Sequence, residues 1–424
     1  MVHKATLNNN VRVILAPVPS TKSVTVEVWF GVGSRYEEKR INGISHFIEH
    51  MMFKGTKRRP STLALSKELD AVGALYNAFT SKEVTGYWVK ISADKLDLAL
   101  DIVSDMLYHS KFEAKEVERE KSVICEEQHM HRDNPIIYIY DLLEEFMFSP
   151  SPLGWDIGGS DQVIHSLTRE DLVRFRNSHY HGKNLIVGIA GNIDVDHARE
   201  RVAHYFGTPW EGGARANIYK PYRRPTHKGP RVHLHYKDTE QVQVDFGFHG
   251  YAYTDRRAQT AALLGAILGG TMSSRLHIAI RERRGLCYSI RAGHESFQDA
   301  GIFYIQSGLE KSRAPEALRA ILAELTRVRD KGVGAAELKR AKDNVKGRLA
   351  LSWEDSENVV SWYVGQEHFT KKLLSPDEKL KKLYAITAED IQRVAAELFV
   401  TKNINLAVIG PYKDAKTFAP LLRI

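Results

Sequence analysis

SVTVEVWF, residues 23–30, alternates apolar and polar side chains with the two-residue period of a strand that buries one face. The pattern returns 218 positions later as QVQVDFGF, residues 241–248, with Val24 matching Val242. It does not return alone. EVEREKSV (116–123) reappears as ELKRAKDN (337–344), LTREDLVRF (167–175) as ITAEDIQRV (386–394), and KNLIVGIAG (183–191) as KNINLAVIG (402–410), at offsets of 221, 219 and 219. Order and spacing are both kept, so the chain is written twice. Each half runs to about 200 residues, ordinary domain size. Alternating strands are interspersed with longer helical patterns in both. That mixture predicts an α+β fold of two homologous α/β sandwiches, each a mostly antiparallel sheet with helices packed on one face. The expected boundaries are 1–208, a basic linker at 209–229, and 230–424.

The composition is that of a globular protein, with 43% hydrophobic and 26% charged residues among 424. The net charge of +8 is mild for this length. Its clearest concentration lies between Glu211 and Asp238, where seven Lys or Arg occur without an acid among Pro and Gly. Such a run reads as a solvated linker. A nucleic-acid contact is the rival reading, but no aromatic platform is interleaved with the charges. Two cysteines, Cys125 and Cys287, imply no disulfide framework and suit a reducing compartment. The first residues, MVHKATLNNNVRVILAPV, read as a strand rather than a signal-peptide core. No apolar run reaches the length of a membrane helix. The expectation is a cytoplasmic protein.

SHFIEHMMFKGT (45–56) sets His46 and His50 one helical turn apart with Glu49 beside them. Asn42-Gly43 supplies a helix start and Gly55 a stop, so both imidazoles face one way. Two neutral imidazoles suit Zn²⁺, and an adjacent carboxylate suits a general base. The inverted order, H-x-x-E-H, needs a third ligand to mean anything. EVEREKSVICEEQH (116–129) supplies candidates. Its apolar stripe is read as Val117, Val123 and Ile124, and Glu120 and Glu127, two turns apart, lie on or beside it. A carboxylate there is costly unless paired or metal-bound. Glu127 is the expected ligand and Glu120 the acceptor that orients a ligand histidine. The repeat serves as a control: the second copy of the motif segment reads AALLGAILGGTM, and Glu120 and Glu127 become Ala341 and Arg348. Histidines and acids vanish together, so the fold does not need them.

At these residues the chain resembles the pitrilysin/insulinase (M16) family of zinc metallopeptidases, in its mitochondrial-processing-peptidase-like branch. HFIEHMMFKGTKRRP, NAFTSKE (77–83) and EREKSVICEE (118–127) carry the likeness, with the acid 77 residues after His50. The resemblance implies a LuxS/metallohydrolase-like fold and one Zn²⁺ per chain on His46, His50 and Glu127. It implies Glu49 as general base and Glu120 in support. SSRLHIAIRERRGLCYSI (273–290) resembles the family segment that places an Arg and a Tyr, here Arg281 and Tyr288, on the scissile carbonyl and its oxyanion. NAFT resembles the edge strand that pairs with substrate backbone, through Asn77, Ala78 and Phe79, with Phe53 lining the pocket after the cut. The implied activity is endoproteolysis of unstructured peptides inside a clamshell chamber. This chain carries all the parts, so a homodimer active by itself is expected, with no nucleic acid and no membrane. The alternative is a silent structural relative like the core subunits of the respiratory bc1 complex.

Overall fold

Two mixed sheets organise the chain in a computed structural model that describes residues 1–210 and 218–424. The expected linker at 209–229 therefore falls partly outside the described residues. Strands β1 (His3–Thr6), β2 (Arg12–Pro17), β3 (Ser23–Phe30), β4 (Leu75–Thr80), β5 (Thr85–Ser92) and β6 (Leu185–Gly191) form the first sheet, in the order β1-β2-β6-β3-β5-β4. Strands β7 (Arg231–Tyr236), β8 (Gln241–His249), β9 (Cys287–Ser296), β10 (Gly301–Glu310) and β11 (Asn405–Gly410) form the second, in the order β7-β11-β8-β10-β9. With β2, β6, β3, β5 and β4 mapped onto β7, β11, β8, β10 and β9, the two orders coincide. The directions coincide too: β2–β6 and β7–β11 pair parallel and the other ladders antiparallel. The sequence repeat is thus a repeat of topology, and the α+β expectation holds.

Each sheet is covered on both faces rather than one. In β2, Val13 and Leu15 enter the main core of the first unit, while Ile14 and Ala16 enter a second cluster on the opposite face. That second cluster is completed by Val359, Val360, Tyr363 and Val364 of the helix Ser356–Phe369. Each such side chain removed from water contributes on the order of 2 kcal/mol before entropy is counted. The helix lies very close. A Cβ built on Gly188 of β6 would meet the Val364 and Val360 methyls at 2.4 and 2.6 Å, so no larger residue fits without displacing it. The second sheet has the same arrangement. The helix Pro135–Phe148 covers it with Ile139, Leu142, Leu143 and Met147, and Gly247 of β8 is the position of close approach.

These covering helices, both of 14 residues, belong to opposite halves of the sequence. The first compact unit comprises Met1–His129, Trp155–Lys220 and Leu349–Leu374, and the second Met130–Gly154, Pro221–Arg348 and Ser375–Ile424. The contiguous division at the basic linker and the division into compact units therefore differ. Each half of the chain donates one helix to the unit built on the other half's sheet. No helix of the described residues is long and apolar enough to cross a membrane.

A buried acid sits at the same repeat position under each covering helix. Glu27 of β3 is 1% exposed, accepts from Trp29 Nε1 at 2.6 Å and from Ser361 Oγ at 2.8 Å, and is pushed up to about 7 by burial, against those two donors. Asp245 of β8, 218 positions on, is fully buried and burial also raises its pKa well above the usual range. The folded chain thus holds a proton on Glu27 that the unfolded chain releases near 4.5. The stability that the protonated form contributes is complete below that value and is lost as pH rises towards 7. Glu27→Gln cannot ionise. The unfolding free energy of the variant, from denaturant titrations, should therefore gain on wild type between pH 5 and pH 7, by up to about 1.4 kcal/mol per pH unit. Parallel profiles for the two proteins would mean that Glu27 ionises normally.

Candidate metal centre

The helix Ile44–Met52 carries the two histidines, and its entry is fixed by an unusual cap. Gly43 precedes it at φ 99°, a left-handed conformation that glycine adopts without strain. No Ser, Thr or Asp caps the helix locally. Glu37, buried, reaches over instead. Its carboxylate accepts from the backbone N–H of Gly43 and Ser45 at 2.8 and 2.9 Å and from the Asn42 amide at 2.9 Å. Free helix N–H groups and the positive end of the dipole favour that acid. After the helix, Arg59 holds the chain down through Asp105, Asp101 and Glu68 at 2.7–3.0 Å.

The helix Ala114–Asp133 packs its buried Val117, Glu120, Lys121, Ile124, Cys125 and Gln128 inward. Val123 departs from the expected stripe: it is 46% exposed, one helical step off the buried face. Glu120 and Glu127 nevertheless both turn towards the histidines. His50 Nε2 lies 3.2 Å from His46 Nε2 and 3.3 Å from a Glu127 oxygen, which is 3.7 Å from His46 Nε2. Among the described residues this is the one group of three or more His, Cys, Asp or Glu able to hold a metal ion. Ligands at 2.0–2.1 Å from a tetrahedral zinc lie about 3.3 Å apart. The three separations bracket that value, so the donor set fits Zn²⁺ without rearrangement.

The surrounding charge fits as well. Glu49, Glu120 and Glu127 gather around two imidazoles, with Lys54 as the neighbouring cation. Burial lowers the affinity of His50 for a proton, but Glu120, Glu127 and Glu49 together outweigh it and raise its pKa to about 9. This cluster is short of positive charge. Glu120, 2% exposed, divides its carboxylate: Oε1 faces His50 Nδ1 at 2.9 Å and Oε2 faces Lys54 Nζ at 2.6 Å. Burial pushes Glu120 up, and His50 and Lys54 bring its pKa below the usual value. Glu49 receives the Thr80 hydroxyl at 2.6 Å, and burial, opposed by that bond, raises its pKa.

The other expected residues divide by location. Phe53 stacks at 6.5 Å on Tyr76 and leans on Tyr87 at 6.4 Å, partly buried in the core of its unit. Asn77, Ala78 and Phe79 lie on β4, the edge strand, hydrogen-bonded on one side to β5. The Ala78 N–H is capped by the Asn77 side-chain oxygen at 2.9 Å rather than by a strand partner. Phe79 turns its ring onto Trp29 at 5.7 Å. Arg281 and Tyr288 belong to the second unit. Arg281 sits on a π-helical turn, His277–Glu282, with its guanidinium 5.3 Å from the centre of the exposed Tyr288 ring. His277 Nε2 accepts from Arg281 Nη1 at 2.9 Å.

Sequence reasoning missed Glu37, Lys54 and Thr80. Thr80 had a readable signal. It ends the NAFT strand and shares a strand face with Ala78 and Tyr76, which is the face β4 shows the motif helix.

A model of the insulinase family, peptidase family M16, matches residues 12–160, and a model of the peptidase M16 inactive domain matches residues 166–345. An uncharacterized zinc protease of Bacillus subtilis, YmxG, is 34% identical over 97% of this chain and 98% of its own. The chain belongs to family M16. Its fold matches that of a protease from Helicobacter pylori at a TM-score of 0.92, with 24% identity over 97% of this chain and 99% of that one. A chain of complex III from Candida albicans shares the fold at a TM-score of 0.84 and 20% identity, with both chains fully covered.

Purified protein should carry about one zinc per chain, as a three-ligand site with an open position does. In His50→Ala the content should drop below about a tenth of that, since the triad loses a ligand and Glu120 its partner. Elemental analysis after dialysis measures both. A wild-type chain that stays zinc-free after zinc add-back would rule out the centre.

Proposed function

We propose that the chain is a zinc-dependent endopeptidase acting on short or unfolded peptides. The convergence of His46, His50 and Glu127 beside Glu49 carries this reading, since a purely structural helix has no use for it. When bound, a zinc ion supplies Lewis acidity, polarising the scissile carbonyl and acidifying a water. His46, His50 and Glu127 would hold the ion. Glu49, oriented by Thr80, takes the proton that the attacking water loses and delivers it to the leaving amine nitrogen. The outer edge of β4 would offer main-chain partners to an extended peptide once the Asn77 side chain releases the Ala78 N–H, which admits varied sequences. Phe53 is the candidate lining for the side chain after the cut. Arg281 and Tyr288 are donors suited to the carbonyl oxygen as it gains charge, and in a homodimer they would serve the centre of the partner subunit. One chain carries both sets, which supports a self-sufficient homodimer enclosing its substrate. Two free cysteines accord with a reducing, cytoplasmic setting.

The likeness to a complex III chain keeps a second reading in view, a silent structural relative. The intact triad and Glu49 count against it. An internally quenched unstructured peptide separates the two. Wild type should cut it, lose activity to a chelator and regain it with zinc. Glu49→Gln should retain zinc and lose at least about a hundredfold in kcat. Zinc-loaded wild type that cuts no peptide in a varied set would favour the structural reading.

A further inference from the structure

We infer that Lys54 is a positioning residue of the metal centre: through Glu120 it holds His50 in the orientation that binds the ion. This rests on the zinc reading above and extends it to a residue outside the triad. Lys54 lies four positions after His50, just beyond the end of the motif helix, so one short segment supplies both partners of the same carboxylate. Glu120 comes from a separate helix and is 2% exposed, where a carboxylate needs a counter-charge. Its two oxygens are used differently. Oε1 is 2.9 Å from His50 Nδ1, and Oε2 is 2.6 Å from Lys54 Nζ. Among the described residues no other side chain forms an ion pair with Glu120.

The division of labour follows from hydrogen-bond chemistry. A histidine that ligates through Nε2 presents Nδ1–H as a donor, and a carboxylate accepting that bond fixes both the tautomer and the ring plane. A carboxylate can rotate about its last torsion, and such a torsion is soft. Lys54 removes that freedom by tying Oε2, which leaves Oε1 aimed at His50. Lys54 is itself only 23% exposed, so the pair is shielded from the solvent that makes surface ion pairs weak. The repeat is consistent with a dedicated arrangement. The segment matching 45–56 in the second half, AALLGAILGGTM, has no lysine, in the copy that also lacks the histidines and the acids.

Zinc affinity, measured by competition with a chromophoric chelator at fixed pH, tests this without relying on turnover. Lys54→Met should weaken zinc binding by about 10- to 100-fold, the usual effect of losing an outer partner of a ligand histidine. Lys54→Arg, which keeps the charge, should recover most of it. Glu120→Gln should weaken binding similarly, and adding Lys54→Met to it should change little, because the lysine acts through that carboxylate. The thermal midpoint of each zinc-free variant, compared with zinc-free wild type, separates lost folding from lost positioning. Lys54→Met binding zinc within about threefold of wild type would overturn the inference, as would losses that add in the double variant. Wild type that binds no zinc would instead remove the zinc reading on which the inference stands.

Discussion

Strands buried on both faces govern how this chain is built. β2 and β6 carry apolar side chains above and below the sheet, and leaving either face in water would forfeit most of the free energy that folding gains. Helices drawn from the first half of the sequence cover one face of the first sheet. The cover for the other face comes from 356–369, and the second sheet receives 135–148 in return. Gly188 and Gly247 allow the helices to approach the strands closely enough to exclude water. The sheet is held rigid on both sides, and the edge strand and motif helix are mounted on that support.

The candidate metal centre is built on this support. Its ligands come from two helices with no sequence link closer than Glu127 after His50, yet their donor atoms stand at the separations zinc requires. That placement needs both helices fixed in rotation as well as position. Glu37 anchors the start of one, Arg59 the chain that leaves it, and the buried face of the other is locked by Val117, Ile124 and Cys125. The carboxylates around the histidines are costly to bury. Two of them have a specific donor, Thr80 for Glu49 and the Lys54 and His50 pair for Glu120.

Much of this was legible from residues alone, and the boundary is instructive. His46, Glu49 and His50 follow from helical periodicity, and Glu120 and Glu127 from the same periodicity on a second helix with the repeat as control. The repeated strands showed that the two halves share a fold, but not the strand order or the helices on the second face. Local pattern stops being informative where a contact is set by tertiary approach. Glu37 caps a helix seven residues away, and nothing in its neighbourhood says so. Lys54 looks like an ordinary surface residue until the fold brings Glu120 to it. Val123 is the opposite case: an apolar side chain at roughly the spacing of the buried stripe misses it by one helical step and stands exposed. The two-sided cover did leave a trace. VRVILAPV and LIVGIAG are apolar almost throughout, which is the mark of a strand buried on both faces. What the trace cannot name is which helix provides the cover.

The traded helices also bear on the order of events during synthesis. The first sheet is complete once β6 ends at Gly191, but the helix that seals its outer face ends at Phe369. Until then Ile14, Ala16, Ile186 and Ala190 have no cover, and the growing chain carries an adhesive surface for the time it takes to make nearly 180 further residues. A half-length fragment would carry it permanently. The two units are therefore not separable modules in the way their repeated topology implies. Each becomes finished only through the other's sequence, and maturation of the unit that carries His46, His50 and Glu127 waits on residues from the other half of the chain.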